Sequence, residues 1–383
     1  MSNTESKALE LCFHPAISEI PASEWNTLSG TSNPFIRHEF LAALEKHQCV
    51  GEQFGWFPYH LSVRNQEKKL VGACPLYIKS NSYGEFVFDW SWASAYEQAG
   101  LHYYPKMICS VPYNPVTGAR LLANDASIKS IMVEQIIGVA EKLKMSGMHW
   151  LFTTPEDTQI CSQHNLQLRL GCQYHWKNHG YTNFDDFLST FISRKRKKVK
   201  RERRMVTEQN ILIETVLGSD ASEHQIEIAH QFYQSTFDRK SGIPTLSSSF
   251  FKEICDTMGH QLVFMFAVLG REYVACAISL RGDDALFGRF WGCKQEFNSL
   301  HFETCFYQGI DYCIEHRLDR FEPGAQGEHK ITRGFLPTKT WSAHWISHEE
   351  FRDPIYSFCR REQIAMQSQC DELMSLSPYR VDS

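Results

Sequence analysis

Apolar and polar positions along this 383-residue chain follow one pattern twice. Residues 59–63 (YHLSV), residues 70–78 and the aromatic segment 86–90 are separated by polar turns at 65–68 and 81–84. Strand-forming residues bounded by Gly, Asn and Ser predict three antiparallel strands. In the second half, residues 262–269, 273–280 and 286–291 repeat the arrangement across turns at 270–272 and 282–284. Both copies carry small residues midway along the second strand and end the third in aromatics and Trp.

The flanks match as well. Behind the first unit, Ile128, Ile131, Met132, Ile136, Val139, Ala140 and Leu143 recur three and four apart. That spacing predicts a helix, stopped at Ser146-Gly147 and followed by a strand at 149–152. Behind the second, Phe302, Cys305, Phe306, Gly309, Ile310 and Cys313 predict a helix over about 302–317, then a strand at 320–322. Helices at 35–47, 223–238 and 248–258 precede the units, and each half opens on a candidate strand, at 11–16 and 211–217. The expected class is a mixed α/β (α+β) sheet protein built from two like domains.

The segment joining the halves predicts a helix over 184–209. Asn183 caps it, Asp185 and Asp186 occupy the first turn, and Phe184, Phe187, Leu188, Phe191 and Ile192 form an apolar stripe. Its continuation, residues 194–204, holds nine Lys/Arg in eleven positions within a chain of formal charge −5. The division is then a first domain over 9–182, a connecting amphipathic and basic helix over 183–210, and a second domain over 211–383.

Composition excludes more than it selects. At 43% apolar and 22% charged residues the chain is globular. The opening MSNTESKALE has no basic stretch leading into an apolar one, and the longest apolar run, 262–269, is far short of the roughly 20 residues that span a bilayer. A cytoplasmic protein without a transmembrane segment is expected. Thirteen cysteines, an odd number with no C-x-x-C pair, predict reduced, mostly buried thiols and no structural metal site.

Three constellations carry candidate chemistry. In the second half, His301-Phe302-Glu303 is followed by residues 322–335, EPGAQGEHKITRGF. Gly324, Gly327 and Gly334 allow close backbone approach to a ligand. Glu303, Glu328 and His329 are candidate proton-transfer groups, and His301, Gln326, Lys330 and Arg333 are candidate substrate ligands. Lys330 and Arg333, three apart, would face one anion if the loop runs into a helical turn. In the first half, Tyr113 and Arg120 sit in a loop fixed by Pro and Gly, where Arg120 would hold an anion bidentately. The third is the basic run, whose Lys197, Lys198, Lys200 and Arg201 suit a phosphate-rich partner, such as a tRNA or a nucleotide-linked substrate.

The stretch RFEPGAQGEHKITRGFLP, with LHFETCFYQGID before it, FGRFWG upstream and PVTGARLL in the first half, resembles the FemAB-like family of predicted bacterial N-acyltransferases. That family is related to the Fem-type aminoacyltransferases, which build peptidoglycan cross-bridges from aminoacyl-tRNA. The resemblance implies two tandem GNAT-like acyltransferase domains, each a sheet whose fourth and fifth strands splay apart. It also implies transfer of an activated acyl or aminoacyl group onto a small-molecule or peptide amine, in cell-wall precursor metabolism. Acetyl-CoA-dependent GNAT enzymes carry an R/Q-x-x-G-x-G/A loop after the fourth strand. Here residues 292–300 read GCKQEFNSL and residues 122–127 LANDAS, without that pattern. Acyl-CoA and aminoacyl-tRNA therefore both stand as donors. The alternative is a non-catalytic binding module of the same fold that recognises an RNA or a cell-wall precursor.

Overall fold

In a computed structural model, which describes residues 9–240, 242–325 and 327–380, the chain forms two compact units. One comprises the described residues up to Gly30, then Phe35–Gly171 and Thr340–Gln367. The other comprises Thr31–Pro34, Cys172–Lys339 and the described residues from Ser368.

The strands are β1 (Glu10–His14), β2 (Trp56–Pro58), β3 (His60–Arg64), β4 (Leu70–Cys74), β5 (Leu76–Lys79), β6 (Lys106–Cys109), β7 (Gly147–Leu151) and β8 (Gln167–Lys177). There follow β9 (Ile211–Leu217), β10 (Leu262–Leu269), β11 (Glu272–Arg281), β12 (Ala285–Cys293), β13 (Arg320–Glu322) and β14 (Leu336–Ile346). In the first unit, β1, β3 and β4 form a small antiparallel sheet. Pro75, which has no N–H to give, separates β4 from β5, so the predicted 70–78 strand serves two sheets. The other sheet runs β2-β5-β6-β7 and closes on β14, whose Ser342–Ile346 pair with β7. In the second unit the order is β9-β10-β11-β12-β13, closed by Trp176 and Lys177 of β8 against β13. Each sheet contains one parallel pair, β6 with β7 and β12 with β13. In each unit an antiparallel run, β2-β5-β6 or β10-β11-β12, is followed by a helix and a parallel strand, but in the first unit the predicted 59–63 strand lies instead in the small sheet with β1 and β4.

Two predicted elements are corrected. The third strand of the first unit is β6, not residues 86–90. Those residues form a loop leading into a helix, because Glu85 and Asp89 turn inward onto Lys106 of β6. The joining helix is broken in two, Phe184–Ser189 and Ser193–Glu208. Between them the C-terminal tail captures the backbone: Phe191 bridges to Tyr379, the Arg380 N–H donates to Thr190 O at 2.8 Å, and the Ile192 N–H donates to Pro378 O at 2.9 Å. The basic run therefore starts a helix instead of ending one. Its charge adds to the positive end of the dipole.

The core of the second unit packs Trp176, Phe187, Phe191 and Val199 against Met265, Leu286, Phe306, Tyr307 and Phe321. That of the first joins Leu61, Leu76, Met107, Met132, Met148 and Trp150. Among the described residues no helix is long and apolar enough to cross a membrane.

Candidate active site

The site of the second unit begins where its parallel pair ends. β12 and β13 are paired from Ala285–Arg320 to Phe287–Glu322 and no further, while β12 continues to Cys293. On its other edge Ile278 faces Phe290 and Ser279 faces Gly288, so Arg289 is the extra residue of a β-bulge. Bulges re-aim side chains, and this one lines a cavity of about 310 Å³ with Arg289. Trp291, His301, Cys305, Phe306, Gly324, His329 and Lys330 complete most of the lining.

The glycine-rich segment makes this geometry possible. Gly324, Gly327 and Gly334 have φ of +96°, +114° and +99°, which side-chain-bearing residues rarely adopt. A Cβ on Gly327 would lie 2.5 Å from the His329 ring, so glycine also leaves the imidazole its place. Residues Glu328–Arg333 then wind as a 3-10 turn. Lys330 points inward and donates from Nζ to Gly324 O at 2.7 Å. Arg333 points the other way. Its Nε and Nη2 donate to Glu202 at 3.1 and 2.7 Å, its Nη1 donates to His329 O at 2.8 Å, and its guanidinium lies 3.4 Å from the Phe302 ring centre. The two cations do not face one anion. Arg333 instead fixes the backbone that carries His329. Gln326 lies outside the described residues.

Charge is costly in this cavity. Burial, reinforced by the neighbouring Arg289 charge, pushes the Lys330 amine down to about 7. Burial lowers Arg289 to about 10, with Glu322 opposing. His329 is exposed at the mouth and held below the ordinary imidazole range by partial desolvation and by Arg333, Lys330 and Lys198. It is thus a neutral base at pH 7. Burial raises the Cys305 thiol far above its usual range, which denies it nucleophilic thiolate character.

Glu303 is placed elsewhere. The helix containing it starts as Leu300–Phe302, passes through a π turn at Glu303–Tyr307 and continues as Gln308–Glu315. Glu303 is buried but does not line the cavity. Its Oε1 accepts from Arg203 Nη2 at 3.0 Å and Gln308 Nε2 at 2.7 Å, and Arg203 also donates to Asp311 at 2.7 Å. Glu328 is exposed on the outer side of the turn.

The basic helix Ser193–Glu208 anchors itself through Val199, Glu202 and Val206. On another face, Arg194, Lys195, Lys197, Lys198 and Arg201 line an open depression of about 470 Å³. Lys200 is set apart by an exposed ion pair with Asp185 at 2.7 Å.

In the first unit the corresponding gap is stapled shut. Arg120 is fully buried and donates to Leu151 O at 2.7 Å, Val116 O at 2.6 Å and Gly118 O at 3.2 Å, while Gly118 bridges to Thr153 beyond β7. Tyr113 donates its hydroxyl to Cys49 O at 2.7 Å and packs edge-on to Trp56. Arg120 and Tyr113 thus hold this loop together.

Sequence reasoning missed Arg289, although an arginine midway along an otherwise apolar strand was the signal. It also missed the buried set around Lys106, which donates to Glu85 at 2.8 Å, to Ser82 at 3.0 Å and to Asp89. Nothing local in the sequence announced that set.

The chain matches the FemAB-like family, described as peptidoglycan biosynthesis/recognition, over residues 16–381. None of the curated proteins matches it in sequence. Among solved structures it is similar to FemX, with a TM-score of 0.55 and 10% identity, covering 88% of this chain and 98% of that one. It is similar to the C-terminal domain of a putative lysylphosphatidylglycerol synthetase from Agrobacterium fabrum, with a TM-score of 0.53 and 8% identity over 92% and 98% of the two chains. L-PGS from Bacillus licheniformis gives a TM-score of 0.52 and 9% identity over 86% and 97%. At such identities the likeness establishes the fold: tandem GNAT-like units.

Proposed function

Because the chain belongs to the FemAB-like family, we propose that it is an N-acyltransferase or aminoacyltransferase acting on an amine of a cell-wall precursor. The observation that carries this reading is the placement of a neutral imidazole, His329, at the mouth of the cavity opened by the parting of β12 and β13. The acceptor nitrogen attacks the acyl carbon, forming the C–N bond, and gives its proton to His329. The bond from the acyl carbon to the donor's ester oxygen or thioester sulfur breaks, and the leaving group takes up a proton. Glu303 acts as a positioning residue, holding Arg203 of the basic helix.

For the donor, the exposed Lys197 and Arg201, with the half-buried Lys198 beside them, favour a molecule with repeated phosphates, and aminoacyl-tRNA fits this better than acyl-CoA. Such a donor is cytoplasmic, which is where we place the reaction. The test is a radiolabelled aminoacyl-tRNA pool incubated with the full chain and a nucleotide-linked muropeptide. Label should pass to the muropeptide, and His329→Ala should slow transfer about a hundredfold. Binding of the muropeptide without transfer would instead identify a recognition module.

A further inference from the structure

Arg289 is a charge that the second unit half-buries. Its Nη1 donates to Gly288 O at 2.8 Å, it occupies the bulge position whose side chain the strand pairing does not dictate, and it lines the cavity together with Lys330. Among the described lining residues are two cations and two imidazoles, His301 and His329, and no carboxylate. The nearest acid acting on Arg289, Glu322, lies outside the lining. It accepts from Arg320 Nε at 3.1 Å and stands 3.9 Å from His175. Trp291, Phe290 and Phe306 add apolar walls, which lower the local polarity and strengthen a charge–charge contact beside them.

We infer that the floor of this cavity is a carboxylate site, in which Arg289 and Lys330 close on a free carboxylate of the acceptor molecule. A planar guanidinium fork matches a carboxylate, and about 310 Å³ leaves room for a small group only. The carboxylate belongs to the acceptor because the group held beneath His329 is part of the molecule whose amine His329 deprotonates. Burial first and the Arg289 charge second depress Lys330, and an anion here offsets both, so binding draws a proton onto that amine. This assignment rests on the transfer reading above, but it is read out without turnover.

The experiment compares N-acetylglycine with N-acetylglycinamide, which differ only at the carboxylate, by ligand-observed NMR on the full-length protein. The carboxylate should bind about tenfold tighter or more, the scale of a charge-assisted hydrogen-bond pair. Arg289→Gln and, independently, Lys330→Met should each reduce that ratio toward one in protein whose melting curve is intact. The comparison within the unaltered protein stands even if a variant fails to fold. N-acetylglycine should also leave bound tRNA in place. Equal binding of acid and amide, no binding of the acid, inorganic phosphate binding as well as the acid, or displacement of tRNA would each overturn the assignment. A carboxylate preference without transfer from any donor overturns the transfer reading alone. Transfer without the preference overturns only this one.

Discussion

Glu202, on the buried side of the basic helix, holds Arg333 of the glycine-rich segment by two hydrogen bonds, 2.7 and 3.1 Å long, and also accepts from the Tyr307 hydroxyl. One carboxylate therefore ties the proposed donor-binding helix to the turn that carries His329 and Lys330. Glu202→Ala would strand the Arg333 charge, which is 3% exposed, without a counterion. A loss of about 3–5 kcal/mol is expected, measured by urea unfolding. Glu202→Ala combined with Arg333→Met should lose less than Glu202→Ala alone, because no buried charge is left over. A double variant at least as unstable as Glu202→Ala would show that the pair is not the source.

Lys330 gives a pH signature. Its amine titrates at about 7 in the folded chain and near 10.4 when unfolded. Between those values the unfolded chain binds more protons, so this group makes stability rise with pH from about 7 to 10. Its penalty is full below 7. Lys330→Met removes the penalty and should stabilise the protein by on the order of a few kcal/mol at pH 6, with the gain shrinking toward pH 10. Denaturant midpoints across that range decide it, and a gain independent of pH would contradict the assignment.

How much of this was written in the sequence depended on where each element's partner lies. Residues 211–217, 248–258, 262–269 and 320–322 form elements with the predicted limits, because their own apolar runs and flanking turns suffice. The segment 86–90 has strand-forming residues, yet its fate is set by Lys106, which no local pattern couples to it. The break at 190–192 is imposed by Tyr379, nearly two hundred positions away. At the site, the Gly-rich motif brought Gly324, His329 and Lys330 to one cavity with His301. Helical spacing could not show the π turn at Glu303, nor the bulge that selects Arg289.

The basic face offers a test by salt. Lys197→Glu with Arg201→Glu reverses two charges on the open depression without touching the anchoring Val199 and Val206. Binding to tRNA should weaken and its dependence on salt should become shallower, by about 0.7–0.9 in the log–log slope for each phosphate no longer neutralised. The melting temperature should stay nearly constant, because exposed charges contribute little to stability. Unaltered tRNA binding in filter or fluorescence assays would move the donor elsewhere.

Lys106 is the most exacting position in the first unit. It is fully buried, its own charge upheld because Glu85 and Asp89 outweigh the cost of burial. Burial pushes Glu85 up to about 7 even beside this cation. For Asp89, burial alone would raise the carboxyl, but Lys106 and His149 hold it at about 2. Lys106→Met removes the lysine that touches both acids. Asp89 must then either remain charged without its partner or take a proton on folding. A loss of about 3–5 kcal/mol is expected at pH 8. The sign of its pH dependence follows from Asp89. With Lys106 absent its folded pKa lies above the unfolded value near 3.9, so the folded chain binds the extra proton as pH falls. The deficit relative to the natural protein should therefore shrink between pH 8 and pH 5, as read by urea unfolding at matched ionic strength. A deficit that stays constant over that interval would mean that packing around the lysine stem, and not the stranded carboxylate, is what the substitution disturbs.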